Sequence, residues 1–171
     1  LLLAPAAHAQ RVANPFQPPA AKVTHAPDRT FDLRHVRVTL AVDNDRKTFT
    51  GTTVNLLAPL RAPLATIRLH AGAGLEILGA TVDGRPAKAA RDGEFVAVTP
   101  SAPVARGSVA RVAVRYRGGA KQGGGFGSAG GWHWMVPDRN NPQKIGFWTQ
   151  GETGYNREWA VTWDYPNDFA T

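Results

Sequence analysis

The chain has 171 residues, enough for one domain with a sizeable core and too few for two ordinary ones. Its 43% hydrophobic and 19% charged residues give a globular composition rather than a disordered one, and the absence of cysteine excludes disulfides and thiolate metal sites. A net charge of +7 raises the question of a nucleic-acid partner, but the twenty Lys and Arg are dispersed among apolar residues, which describes a solvated basic surface.

In chain order, the short apolar run Leu1-Leu2-Leu3 leads into Ala7-His8-Ala9, the small-residue pattern at which secretory leaders are cleaved. Residues 1–9 are therefore expected to be the remnant of a signal peptide, with cleavage before Gln10 and export to the periplasm or beyond. Residues 10–30 carry Pro15, Pro18, Pro19 and Pro27 and are expected to be an extended linker. No stretch reaches the roughly 18 apolar residues of a membrane span.

From Phe31 the hydrophobic period becomes two. Phe31, Leu33, then His35 or Val36, then Val38, Leu40 and Val42 predict a long strand, closed by a turn at Asp43-Asn44-Asp45. Strands are expected at 47–60 and 65–72, then in a hairpin over 75–90 turning at Asp83-Gly84, then at 93–100 and 109–118. Six or seven strands at regular spacing predict an all-β domain over 31–171. The expected form is an antiparallel β-sandwich or saddle-shaped sheet, with a short irregular or helical segment near the C-terminal end. The Gly-rich stretch 118–131 lacks the Gly-Lys-Ser/Thr ending and the strand-to-helix context of a phosphate loop, and is read as a hairpin loop ending at Trp132 and Trp134.

Chemistry is sparse. The five histidines form no H-x-H or H-E-x-x-H pair, so no metal site is expected within this chain. No G-x-S-x-G elbow or other activated nucleophile is present. The informative stretch is "FWTQGETGYNREWAVTWDYPND", residues 147–168. Gln150 and Glu152 stand two apart after the apolar pair Phe147-Trp148, so strand geometry would place both on one face. An amide and a carboxylate there could receive an ammonium group through charge-assisted hydrogen bonds. A plain strand-end Glu152 paired with Arg157 is the alternative.

This stretch resembles the end of the N-terminal domain in the aminopeptidase N family of zinc metallopeptidases. The shared pattern is Gln150-x-Glu152, Arg157, Asp164-Tyr165-Pro166 and the closing Ala170-Thr171; Lys47, Phe49 and Gly51 match the family's K-x-F-x-G motif. Ala160-Val161-Thr162 depart from it, standing where the family has an aromatic-Pro-Cys. The resemblance covers about residues 31–171 and implies a β-saddle that caps a catalytic domain. It implies that Glu152 binds the substrate's α-amine and that Gln150 contributes to the first substrate pocket. Arg157, Asp164, Pro166, Trp148 and Trp163 would be structural or interface residues. Peptides would be the substrates, and the zinc and its H-E-x-x-H motif would belong to a catalytic domain beyond Thr171, with no metal bound by this chain alone. A non-catalytic secreted binding module, holding a glycan or protein on exposed Trp132, Trp134 and Trp148, is the competing expectation; a nucleic-acid partner is not expected.

Overall fold

The computed structural model describes residues 28–119, 131–143, 145–152, 154–168 and 170–171. The expected leader and most of the expected linker, residues 1–27, lie outside the described residues, as do 120–130 of the Gly-rich stretch. Seven strands form one antiparallel sheet: β1 (Phe31–Asp43), β2 (Thr48–Pro59), β3 (Ile67–His70), β4 (Leu75–Val82), β5 (Arg85–Asp92), β6 (Phe95–Thr99) and β7 (Ala110–Gly119). Their order is β1-β2-β7-β4-β5-β6-β3, and every neighbouring pair is antiparallel. β5 gives its first residues to β4 and its last five to β6, and through it the sheet curls back over itself. The expected saddle or sandwich is the architecture found.

Alternation builds the core. Along β7, Ala110, Val112, Val114 and Tyr116 point inward, while Arg111, Arg115 and Arg117 point out. They meet Phe31, Leu33, Phe49, Leu57, Ile67, Leu69, Val96 and Val98 from the other strands in one cluster. The ambiguity at His35 or Val36 has a physical cause: the β1–β2 register shifts between Leu33 and His35, a bulge that moves the inward phase from odd to even positions. At the β1–β2 turn, Asp43 Oδ1 accepts the N–H groups of Asp45 (3.1 Å) and Arg46 (2.9 Å). These bonds hold the Asp43 carboxyl below its ordinary range.

The K-x-F-x-G motif serves this packing. Gly51 faces Tyr116 across β2–β7, and a Cβ on Gly51 would lie 2.4 Å from the tyrosine ring. The Phe49 ring likewise fills the place of a Gly118 side chain. Lys47 takes a positive φ of 52° at the turn and sets its Nζ 5.3 Å from the Trp134 ring centre.

A buried polar chain ties the C-terminal segment to this sheet. Tyr116 Oη donates to Trp159 O (3.0 Å), so Thr53 Oγ1, 3.0 Å away, must donate to Tyr116, leaving its lone pair for Val161 N–H at 3.3 Å. Asn55 Nδ2 donates to Val161 O at 3.1 Å. Burial raises the Tyr116 pKa, which keeps the hydroxyl a donor. The last residue completes the edge of β1: Val36 N donates to Thr171 O and Thr171 N to Arg34 O.

Candidate functional site

Two further strands, β8 (Gly131–Trp134) and β9 (Phe147–Gln150), form a separate antiparallel ribbon. β8 takes β9 as its partner, so the hairpin expected from β7 into Trp132 and Trp134 is not the pairing found among the described residues. Directly opposed residues of such a pair share a face. Trp132 and Trp134 share one with Phe147, on which Trp132 stacks at 4.0 Å; Trp132 also meets Phe49 at 4.5 Å and so seats the ribbon on β2. A two-stranded ribbon is marginal alone, so this aromatic contact holds it in place. Trp132 and Trp134 are only 5% and 2% exposed, which overturns their reading as open platforms for a sugar. The opposite face carries Gln150 and a stack of His133 on Trp148, with ring centres 4.0 Å apart. Trp148 is half-buried, and His133 is buried with neither ring nitrogen bonded among the described residues.

β9 ends at the half-buried Gln150, and Glu152 stands exposed in the turn beyond it. The strand expected to carry both therefore stops two residues short of Glu152. Gly151 O accepts Tyr155 N–H at 3.0 Å, and Gly151 lies so close to Asn156 that a Cβ would fall 2.4 Å from its Oδ1. The chain then makes a single 3-10 turn, Asn156–Glu158, which is the expected short helical segment.

Arg157 does not pair with Glu152. Its backbone N–H and its Nε both donate to Asp164 Oδ2, at 3.0 and 3.2 Å, and its Nη1 pairs with Glu94. Glu94, at the tip of the β5–β6 hairpin, carried no signal in the sequence. Asp164 is buried, and its backbone N–H donates to His70 Nδ1 at 3.0 Å. The His70 proton is thereby placed on Nε2, which has no partner among the described residues. His70 lies against Phe95, Trp163 and Tyr165, and its backbone N–H donates to Thr162 O at 2.8 Å. Burial, reinforced by the charge of Arg157, lowers its pKa to about 4. Trp163, expected as a structural or interface residue, is buried in its own domain between Phe31 and His70, with Nε1 donating to Asn167 Oδ1 at 2.7 Å. Pro166 is exposed and, with Gly154, Asn156, Trp163, Asp164 and Tyr165, lines an open cleft of about 240 Å³.

Among the described residues no group of three or more His, Asp or Glu could hold a metal ion, so the side chains present do not fit a zinc site and no step through zinc is assigned to them. The chemistry they offer is recognition: an exposed carboxylate and a half-buried amide beside a rigid aromatic ribbon.

No known protein family and no curated protein matches the chain by sequence. Among solved structures, the M1 zinc metallopeptidase from Deinococcus radiodurans matches with a TM-score of 0.66 at 22% identity, over 84% of this chain and 31% of that one. A mutant of that enzyme bound to a Tyr-Ser-Ala substrate matches at a TM-score of 0.65 and 22% identity, with the same coverage. A two-domain M1 zinc metallopeptidase mutant bound to L-arginine gives 0.65 at 22% identity, over 84% of this chain and 32% of that one. The chain thus spans about a third of the length of these structures, and at this identity the likeness is one of fold. That fold, a curled antiparallel sheet, is the one shared with the M1 zinc metallopeptidases of the aminopeptidase N family.

Proposed function

We propose that this chain is the N-terminal β-domain of an exported zinc aminopeptidase, and that it supplies recognition of the substrate's free α-amine rather than the hydrolytic chemistry. The observation that carries the reading is the coverage: most of this chain matches only about a third of each M1 metallopeptidase. The remaining two thirds would hold the zinc, and the chain alone would not hydrolyse peptides. Peptide substrates are supported by the tripeptide held in one of those structures.

Within the chain, Glu152 would bind the ammonium group. It is exposed, it follows a glycine that fixes the turn, and Arg157 is already committed to Asp164 and Glu94. Gln150, held by its β9 pairing to Gly131, would line the first substrate pocket beside Trp148. A charge-assisted contact of this kind is worth about 1.5–3 kcal/mol, so Glu152→Ala in the full-length gene product should weaken substrate binding about ten- to a hundredfold. The test is steady-state hydrolysis of aminoacyl arylamides by the full-length protein, alongside its zinc content. Unchanged kinetics in Glu152→Ala would refute the residue's role, and a full-length protein with neither zinc nor hydrolysis would refute the enzyme reading. Export is tested separately by the mass of the mature N-terminus, with cleavage before Gln10 expected.

A further inference from the structure

β1 is an edge strand, and its outer side is only partly covered. Val36 N–H points outward, because it bonds Thr171 O on the side away from β2. Backbone direction alternates along a strand, so the N–H and C=O groups of Val38, Leu40 and Val42 point the same way. Among the described residues nothing pairs with these three. Such a row of unpaired groups is a template for another strand.

We propose that this edge pairs with the same edge of a second copy of the chain, antiparallel, about a two-fold axis at Leu40. The register follows from the geometry. An axis at Thr39 would set Val42 against Val36, which Thr171 occupies. An axis at Ala41 would set Val38 against the turn at Asn44, so each of these two leaves one open residue unpaired. The remaining axes fall at Val38, Leu40 or Val42. An axis at Val38 would bring the partner's Leu40 onto Val36, which Thr171 already occupies. An axis at Val42 would run the partner into the turn that begins at Asn44. The axis at Leu40 opposes Leu40 to Leu40 and Val38 to Val42 and satisfies all three open residues of both chains with six hydrogen bonds. It also sets Thr39 against Ala41, and Arg37 against Asp43 at both ends, so the strand is self-complementary in charge. The existing partner of Asp43 Oδ2 is Arg46, whose side chain is 82% exposed, and an ion pair so open to water is readily shared. On the inner face the half-buried Val38, Leu40 and Val42 would meet their counterparts and extend the apolar surface across the junction. Because the contact is isologous and occupies the β1 edge of both copies, the pairing closes as a dimer and does not propagate.

The test uses the whole chain, Leu1–Thr171. Sedimentation velocity over a concentration series should show a monomer–dimer equilibrium, weakened by salt. Arg37→Glu, an exposed substitution that opposes like charges at both ends, should raise the dimer dissociation constant by about tenfold or more. Since the chain has no cysteine, the register itself can be read: Thr39→Cys mixed with Ala41→Cys should oxidise to a cross-linked heterodimer, while neither variant links to itself. A chain that stays monomeric at millimolar concentration overturns the proposal. So does a dimer indifferent to Arg37→Glu, and so does cross-linking of Thr39→Cys to itself in place of the mixed pair.

Discussion

Gly51 has no side chain because the Tyr116 ring occupies the space one would need, and that ring cannot yield while its hydroxyl bridges Thr53 and Trp159. Gly51→Ala should therefore destabilise the domain by about 2–3 kcal/mol, as overpacking of a close-packed interior does, which a denaturant midpoint would report. His70 illustrates burial of another kind. The unfolded chain takes up a proton near pH 6.5, whereas the buried ring, facing Arg157 and Arg68 and accepting Asp164 N–H, does so only near 4. Between those values the unfolded state binds more protons, so the stability contributed by neutral His70 is complete above pH 6.5 and is lost as pH falls toward 4. The loss amounts to about 3 kcal/mol. Urea midpoints from pH 7 to 4 should slope more steeply in the wild type than in His70→Gln; parallel slopes would contradict this account. The pattern of residues 65–72 placed His70 in a strand, but nothing in it indicated that Asp164, 94 residues on, would supply its hydrogen bond. Such a partner becomes visible only once the sheet curls.

At the scale of elements, strands with clean alternation and turn chemistry were legible in the sequence. β4 and β5 were bounded by Asp83-Gly84, where Asp83 does adopt a positive φ of 51°. β8 was not legible as a strand, because all four of its residues, Gly131-Trp132-His133-Trp134, are buried and no period of two survives. The strand read through Glu152 ends earlier, at Gln150, for a related reason: alternation was extended through Gly151, where the chain turns. What orders this irregular region is charge. Asp164→Ala should leave the largely buried Arg157 guanidinium with one carboxylate partner, Glu94, in place of two, and one backbone N–H without its acceptor. The expected cost is about 2–4 kcal/mol. Accelerated amide exchange at Arg157 would distinguish local loosening of the turn from a loss spread over the sheet.

For the whole molecule, the all-β architecture followed from composition and period, because seven alternating segments without a helical period leave few other ways to bury an apolar face. The curl did not, since it depends on which strands lie at the rims. β1 and β3 are those rims, and one segment reaches both: His70 of β3 bonds Thr162, and Arg34 and Val36 of β1 bond Thr171. Trp163 lies between them, 5.7 Å from Phe31 and 5.0 Å from His70 by ring centres. A ribosome delivers the chain from the other end. Until residues Thr162 to Thr171 have emerged, the nascent sheet holds two raw rims and no clasp, and the contacts that join them span 92 to 137 residues. Closure of such long loops is slow, so the interval before it is when this domain is most open to sticking to its neighbours.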